Sequence, residues 1–404
     1  MKNKLPNYRF NNFLDSWNIG KLSTIANEFQ SGGTPSTKVM NYWNGKIPWI
    51  QSSDIQKDTL FGVIPQKFIS EEGLQNSSAK LIPQNSIAIV TRVGVGKLAI
   101  IEQNYTTSQD FLSLSNLNGD IFFLVYSLFR MLQKESAQLQ GTSIKGITKE
   151  DLLSKKISLP ESLEEQSAIG YLFRTLDDLL ASYKDNLANY QSLKATMLSK
   201  MFPKAGQTVP EIRLDGFEGE WEVVNLGTLI ENFDEVISGA SGFPIVTSSR
   251  KGLYLQNDYF EGGRTGIDLT LDFHRVPMGY VTYRHMSDDS IFKFNKNNFE
   301  TDVLVSKEYP VFISNDSSDI DFLLYHLNNS RLFLRFSTMQ KLGGTRVRLY
   351  YKNLITYKLA VPTVKEQQAI GTYFSNLGQL ITSYQEKISQ LETLKKKLLQ
   401  DMFI

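Results

Sequence analysis

Residues 165–202 read EQSAIGYLFRTLDDLLASYKDNLANYQSLKATMLSKMF, and residues 366–403 read EQQAIGTYFSNLGQLITSYQEKISQLETLKKKLLQDMF. The segments align without a gap, and 15 of the 38 positions are identical. Each has apolar residues at nine of ten heptad a and d positions, which is typical of a coiled coil. The seam residues that we expect to pack are Ile169, Phe173, Leu176, Leu180, Tyr183 and Leu187, then Ile370, Phe374, Leu377, Ile381, Tyr384 and Ile388.

The same lysine interrupts both seams, since Lys194 and Lys395 occupy equivalent heptad positions. A polar seam residue can fix the register of a coiled coil at a cost in stability. The alternative is a lysine whose stem lies along the apolar surface while its ammonium reaches water. The sequence supports both interpretations equally.

A second duplicated stretch precedes each variable block, because residues 6–25 align with residues 210–229 without a gap. The matched residues include Arg9 with Arg213 and Trp17 with Trp221. We expect both tryptophans to lie in a core. The matched arginines should perform a role common to both copies and not base selection.

Between the duplicated stretches the two copies barely resemble each other. Residues 31–37 read SGGTPST where residues 237–243 read ISGASGF. The chain therefore alternates a variable globular domain with a shared helix, twice. The predicted boundaries are 1–160 for the first globular domain, 161–204 for the central shared helix, 205–359 for the second globular domain and 360–404 for the C-terminal shared helix.

Connectivity predicts how the two helices pair. The first helix leads from the first domain to the second, and the second helix begins in the second domain. A second helix that packs on the first must therefore run antiparallel to it. At ~1.5 Å per residue, about 38 residues would separate the domains by roughly 57 Å. The predicted product is a pseudo-two-fold internal repeat.

Each globular domain mixes strand and helix signals. Strand-like runs lie at residues 47–50, 86–91 and 98–101 in the first domain and at 242–247, 279–284 and 303–306 in the second. Residues 121–140 and 320–339 read as helices. This is an α+β pattern: strands, then a helix, then a loop and a last strand that leads into the coiled coil.

Composition excludes several classes of site. The chain has no cysteine, so disulfides, cysteine zinc sites and thiol nucleophiles are excluded. No two of its three histidines have metal-ligand spacing. The longest apolar run, residues 121–129, is about half of what a bilayer requires, and residues 1–10 lack the apolar stretch of a signal peptide. We therefore expect a cytoplasmic protein.

Motifs for catalysis are also missing from the sequence. It contains neither the Asn/Asp-Pro-Pro-aromatic run of amino-methyltransferases nor a G-x-x-x-x-G-K-[ST] phosphate loop. Residues 93–97 (VGVGK) lie between two strand-like runs and indicate a hairpin. An enzyme using carboxylates such as Asp288 and Asp289 is conceivable, although that pair resembles a turn.

The net charge of +1 conceals a local excess of basic residues. Residues 322–365 contain eight basic residues and no acidic one. They are Arg331, Arg335, Lys341, Arg346, Arg348, Lys352, Lys358 and Lys365. A basic stripe can contact phosphate even when the total charge is small; the alternative is a solvated surface.

This organisation resembles the specificity (S) subunit of type I restriction–modification systems. The starts of the helices, ISLPESLEEQ at 157–166 and LAVPTVKEQQ at 359–368, are similar to the proline-then-Glu-Glu-Gln signature of that family. Residues 32–37 (GGTPST) resemble the start of many of its recognition domains. Residues 141–147 (GTSIKGI) and 343–349 (GGTRVRL) resemble the loop that precedes each helix. The second domain departs from the family because it lacks the Gly-Gly-Thr-Pro opening.

The resemblance implies a non-catalytic subunit with two target-recognition domains, which read an asymmetric bipartite sequence in double-stranded DNA. It also implies that two methyltransferase (modification) subunits dock on the helices and that two restriction (translocase-nuclease) subunits join in the full complex. No cofactor is expected in this chain; S-adenosylmethionine, ATP and magnesium would belong to the partner subunits.

Contacts to DNA should come from basic, hydroxyl and amide side chains in loops. In the first domain the candidates are Thr34, Ser36, Lys38, Gln51, Ser52, Ser53, Thr91, Arg92, Lys97, Ser143 and Lys145. In the second domain they are Ser248, Ser249, Arg250, Tyr283, Arg284, Lys341, Thr345, Arg346 and Arg348. His285, beside Arg284, is a further candidate for reading a base.

A non-enzymatic scaffold is the alternative function. Two unlike heads on a coiled coil would also suit a protein that binds proteins or glycans. The basic loop that leads into each helix favours DNA instead.

Overall fold

The computed structural model describes residues 5–138, 146–259, 268–341 and 346–404. The chain divides into two compact units. Unit 1 comprises Met1–Lys184 with Glu386–Ile404, and unit 2 comprises Asp185–Gln385. Each unit contains one globular head and a part of both long helices. Among the described residues, no helix is long and apolar enough to cross a membrane.

The head of unit 1 is built mainly from antiparallel strands. Its strands are β1 (Asn18–Lys21), β2 (Ala26–Ser31), β3 (Ile47–Ile50), β4 (Lys67–Ile69), β5 (Ser86–Val90), β6 (Leu98–Ile101), β7 (Thr106–Thr107), β8 (Phe111–Leu117) and β9 (Lys156–Leu159). Its helices are α1 (Glu71–Gln75), α2 (Ile121–Gln138) and α3 (Lys149–Ser154), and α4 (Leu163–Lys200) follows. The strand orders are β2-β8-β5-β6, β4-β3-β7 and β1-β9, with only β3 and β7 parallel among these pairs.

The head of unit 2 repeats part of this arrangement of strands. Its strands are β10 (Glu222–Asn225), β11 (Ile230–Phe233), β12 (Val236–Ser238), β13 (Val246–Ser249), β14 (Gly252–Leu255), β15 (Asp272–Val276), β16 (Val281–Tyr283), β17 (Met286–Ser287), β18 (Phe294–Lys296), β19 (Val303–Ser306), β20 (Val311–Ser314), β21 (Val347–Arg348) and β22 (Lys358–Val361). Its helices are α5 (Gln256–Tyr259), α6 (Ile320–Asn329), α7 (Arg331–Met339), α8 (Tyr351–Leu354) and α9 (Val364–Asp401). The four-stranded order β11-β20-β16-β18 corresponds to β2-β8-β5-β6, and β10-β22 corresponds to β1-β9.

Within each unit the two long helices run antiparallel, as predicted. In unit 1, Lys184 of α4 pairs with Glu392 of α9, and Asp177, two turns earlier in α4, pairs with Lys395, which lies later in α9. In unit 2 the ring centroids of Tyr190 and Tyr384 lie 5.3 Å apart. The α+β class and the internal repeat are confirmed.

The first residues of each predicted seam belong to the core of a head. The buried seam residues are Ile169, Phe173, Leu176, Leu180, Ile370, Phe374, Leu377 and Ile388, whereas Tyr183, Leu187, Ile381 and Tyr384 are half-buried. Ile169 and Phe173 pack into the core of unit 1, and Ile370 and Phe374 pack into that of unit 2. The apolar seam residues therefore pack the helices against the heads as well as against each other.

A Met-Phe pair completes each core. Phe403 packs against Phe123 and Phe173 in unit 1, with ring centroids 5.3 and 5.4 Å apart. In unit 2, Phe202 lies 5.4 Å from Phe322 by the same measure. Trp17 and Trp221 are buried in these cores, which confirms the prediction for both.

A glutamine fixes the start of each long helix against its head. Gln166 accepts from the backbone N–H of Asp120 (3.0 Å) and donates to the carbonyl of Pro160 (2.9 Å). Gln367 makes the equivalent bonds to Asp319 and Pro362 at 3.0 and 2.9 Å. Both amides are buried, so these bonds satisfy polar groups that water does not reach.

Two predicted elements differ from the structure. Residues 320–339 form two helices because Ser330 adopts an extended conformation (ψ 126°) and its hydroxyl accepts from the N–H groups of Leu332 and Phe333. The strand expected at 242–247 begins only at Val246, since Gly242 takes a left-handed conformation (φ +90°). The helix expected at 121–140 is α2, and residues 139–140 lie outside the described residues.

Candidate nucleic-acid interface

Three of the predicted DNA-contacting loops in the first head meet around residues 107–110. The N–H of Gly33 donates to the carbonyl of Thr107 (2.9 Å). The N–H of Ser108 donates to the carbonyl of Ile50 (3.0 Å), next to Gln51. The N–H of Thr91 donates to the carbonyl of Asp110 (2.7 Å). Loops that are far apart in sequence therefore form one surface.

Glycines allow the first of these loops to lie so close to its neighbours. A Cβ added at Gly32 would lie 2.1 Å from Oγ1 of Thr107, and one at Gly33 would lie 2.2 Å from the carbonyl oxygen of Ser78. No side chain fits at such distances, so this backbone path requires glycine at both positions. The loop then presents Thr34, whose hydroxyl donates to Oε1 of Gln109 (2.7 Å).

Residues 93–97 form the predicted hairpin between β5 and β6. Gly94 and Gly96 have φ values of +87° and +93°, which side-chain-bearing residues rarely adopt. The turn exposes Arg92 and folds Lys97 back, so that its Nζ donates to the carbonyl of Ser52 at 3.1 Å.

The candidates in the first head differ in exposure. Ser36, Lys38, Ser53 and Arg92 are exposed, while Thr34, Gln51, Ser52 and Lys97 are half-buried. Thr91 is buried, and its hydroxyl donates to the carbonyl of Asp110 (3.0 Å), which makes it a structural residue in this loop. Ser143 and Lys145 lie outside the described residues.

Four exposed arginines surround one short strand pair in the second head. The pair β17–β21 places Arg348 opposite Met286. Nε of Arg346 donates to Oδ1 of Asp288 at 2.8 Å, and Nη2 of Arg250 donates to Oδ1 of Asp289 at 2.5 Å. The acidic pair of the sequence directly follows β17 and neutralises two of the arginines.

The other two arginines keep an unneutralised charge. Arg284 directly follows β16, and Arg348 lies in β21; both are exposed. In the part of the chain that the structure describes, neither has an ion-pair partner. Lys341 is exposed, Ser249 is half-buried, and Thr345 lies outside the described residues.

Two candidates in the second head, Tyr283 and Ser248, are buried and have hydrogen-bond partners inside the head, so their side chains are not presented at its surface. Tyr283 is 0% exposed; its hydroxyl donates to the carbonyl of Leu349 (3.0 Å), and burial raises the pKa of the phenol well above its ordinary value. Ser248 is buried and accepts from Nδ2 of Asn295 at 2.8 Å. Strand alternation could have revealed Tyr283, because it lies on the same side of β16 as Val281.

His285 is not free to read a base either. It is buried, and its ring stacks on Tyr350 with centroids 5.5 Å apart. Burial lowers the pKa of its imidazole. Gln109, by contrast, joins the first-head surface although no sequence motif marked it.

The candidate surfaces of the two heads include one equivalent backbone contact. The N–H of Ile147 donates to the carbonyl of Thr91 (2.7 Å), and the N–H of Leu349 donates to the carbonyl of His285 (2.8 Å). Ile147 and Leu349 therefore lie at equivalent points, beside the residues that follow β5 and β16. Among the described candidates, Thr91 and Arg92 in the first head and Arg284 and Arg348 in the second lie near that end of the four-stranded sheet.

Comparison with known protein families shows the same duplication. The model of the type I restriction modification DNA specificity domain family matches residues 15–189 and again residues 219–393. The chain belongs to that family. Arg92 and Arg284 lie inside the two matched regions, at the ends of equivalent strands.

Similar proteins that are named type I specificity subunits have modest sequence identity to this chain. The MjaIX specificity subunit of Methanocaldococcus jannaschii is 27% identical over 229 residues, or 53% of this chain and 52% of that protein. The chain thus spans about half the length of this relative. The MjaVIII specificity subunit of the same organism is 21% identical over 412 residues, covering 95% of this chain and 91% of that protein. The crystal structure of a type I S subunit from M. genitalium has the same fold, with a TM-score of 0.61, 16% identity and 99% coverage of both chains.

Proposed function

We propose that this chain is a non-catalytic DNA-specificity subunit whose two heads bind unlike half-sites of one double-stranded target. The strongest support is that the two heads share one arrangement of strands but carry different loops. Both heads have the same four-stranded order, yet one presents a glycine-threonine loop and the other a group of arginines. Because base recognition depends on side-chain identity, equivalent frames with unlike loops suit unlike half-sites.

The exposed basic and hydroxyl residues are the proposed contacts. In the first head these are Ser36, Lys38, Ser53 and Arg92, and in the second they are Arg250, Arg284, Lys341, Arg346 and Arg348. In this proposal residues 1–160 and 205–359 are the target-recognition domains, and residues 161–204 and 360–404 are the shared helices. Arginine suits this role because its guanidinium binds both phosphate and guanine edges.

The long helices are the proposed docking sites for methyltransferase subunits. They expose large apolar side chains that neither core uses: Tyr171, Leu179, Leu193, Leu380 and Leu394. Tyr171 is 69% exposed. Apolar side chains gathered on such surfaces favour protein partners. Methyl transfer and any cleavage, with their cofactors, are assigned to those partners.

Selection of DNA by the full chain tests the proposal. The chain, alone and together with its methyltransferase partner, is incubated with random duplexes, and the bound DNA is sequenced. We expect two short unlike motifs at a fixed separation. The double variant R284A/R348A should lose the preference at one motif and keep the other. Absence of enrichment, with binding only to proteins or glycans, would favour the scaffold function.

A further inference from the structure

One lysine of unit 1 is neutralised in the interior of the helix pair. Lys395 binds the carboxylate of Asp177, and its Nζ lies 5.7 Å from the ring centroid of Tyr126. The hydroxyl of Tyr126 donates to the other oxygen of Asp177 at 2.6 Å. The three side chains thus form a closed group in which the ammonium charge is balanced.

The equivalent group in unit 2 lacks the carboxylate. Lys194 corresponds to Lys395 and lies 5.6 Å from the ring centroid of Tyr325, which corresponds to Tyr126. The position of Asp177 is taken by Gly378. A Cβ added at Gly378 would lie 3.5 Å from Nζ of Lys194 and 3.9 Å from the hydroxyl of Tyr325. An acidic group placed there would therefore reach both, and the glycine leaves that place open.

Lys194 and Tyr325, the two side chains next to this open place, line a cavity of about 760 Å³ that contains a second lysine. Lys194 and Lys293 both line it, and among the described residues neither has a carboxylate partner. The third lysine, Lys296, is neutralised by both oxygens of Asp321 at 2.9 Å. Burial lowers the pKa of Lys194 and of Lys293, and the charge of Lys194 lowers that of Lys293 further.

Two half-buried ammonium groups without a counter-charge are costly, and an anion between them would remove that cost. We propose that this cavity of unit 2 binds a phosphate group, held by Lys194 and Lys293. A phosphate dianion matches the two positive charges, whereas a single carboxylate matches only one. Hydroxyl and amide groups of Ser375, Asn298 and Gln379 also line the cavity and can bond the remaining oxygens.

The test uses the full chain and inorganic phosphate as the probe. Phosphate is titrated at constant ionic strength, with chloride as the balancing anion, and binding is measured by calorimetry. We expect saturable binding that G378D weakens by about tenfold or more, because the new carboxylate would pair with Lys194. G378N has almost the same shape without the charge and should retain binding. K293M should weaken binding as well.

A parallel titration with a short random duplex distinguishes the two sources of a phosphate group. If G378D weakens duplex binding too, the cavity binds the DNA backbone. If duplex affinity is unchanged while binding of inorganic phosphate is lost, the cavity binds a free phosphate-bearing molecule. The inference is overturned if phosphate shows no saturable binding to the unsubstituted chain, or if G378D binds phosphate as tightly as G378N. Neither result would exclude DNA binding by the loops of the heads.

Discussion

The guanidinium of Arg9 binds the carboxylate of Glu165 through two parallel hydrogen bonds, Nε to Oε1 at 2.6 Å and Nη2 to Oε2 at 2.7 Å. The carboxylate is only 1% exposed, and it also accepts from the indole of Trp17 at 3.2 Å. Arg213 and Glu366 repeat the two-bond pair at 2.7 Å for each bond. The matched arginines therefore tie each duplicated stretch to the first turn of a long helix.

Loss of this pair should destabilise unit 1. R9M leaves the buried carboxylate of Glu165 without its counter-charge, so we expect the free energy of unfolding to fall by about 3 kcal/mol. Urea unfolding followed by tryptophan fluorescence measures this change. The control is K204M, which removes the solvent-exposed pair of Lys204 with Glu211 and should leave the free energy of unfolding nearly unchanged. Equal effects of the two substitutions would contradict the structural role of Arg9.

Two glycines of the long helices should respond oppositely to alanine. A Cβ at Gly170 would lie 2.5 Å from the backbone nitrogen of Phe123, so G170A should destabilise the protein by about 1–3 kcal/mol. At Gly378 the nearest atom would be 3.5 Å away, so G378A should stabilise it by about 0.5–1 kcal/mol through helix propensity. Thermal unfolding measures both. A gain in stability for G170A would show that the start of α2 does not pack as closely on α4 as described.

Acid should weaken unit 2 through a buried histidine. Burial lowers the pKa of His326 from 6.5 to about 4. Between these values the unfolded chain takes up a proton that the folded chain does not, so stability is full above pH 6.5 and falls as the pH falls toward 4. The loss should reach about 3 kcal/mol. Burial shifts the pKa of His285 in the same direction and adds to the effect.

Urea unfolding between pH 7 and 4 measures this dependence. In H326Q the slope should be markedly smaller, because glutamine can still bond the hydroxyl of Tyr357, which His326 meets at 2.8 Å, without titrating. The same slope in H326Q and in the unsubstituted chain would remove His326 as the cause.

The arginines of the second head should contribute unequally to DNA binding. Arg348 has no ion-pair partner among the described residues, whereas Arg346 must first leave Asp288. We therefore expect R348A to weaken binding more than R346A. The double variant R346A/R348A should flatten the dependence of log K on log salt by about 2, since up to two phosphate contacts are lost. K204A serves as the control, and an unchanged slope in the double variant would place both arginines outside the interface.

The sequence predicts elements whose pattern repeats and misses effects of single side chains. The heptads of α4 and α9 and the hairpin at residues 93–97 could be predicted because their periodicity or glycine content determines local structure. The break at Ser330 was missed because one hydroxyl cap outweighs an apolar pattern that continues through it. Burial of Tyr283 was missed because polar atoms can be satisfied inside a core.

The sequence was enough to predict which loops form the candidate interface, but it did not predict which residues contact one another within it. The glycines at 32 and 33 marked the first loop, but only the fold reveals that Gln109 lies beside Thr34. Similarly, Arg346 is 58 residues from Asp288 in sequence and Arg250 is 39 residues from Asp289, and only the fold brings each arginine to its partner. Such pairings depend on long-range contacts that local composition does not encode.

Met402 and Phe403 are needed to complete the core of unit 1, where Phe403 lies against Phe123 and Phe173. A ribosome makes these residues long after it has made the rest of that head. The first head to be synthesised must therefore wait, with an apolar surface uncovered, until the second head has been translated. Nascent chains of this protein should accordingly depend on chaperones during elongation, and the amino-terminal head should reach full protease resistance only after Met402 and Phe403 have been synthesised and have left the ribosome.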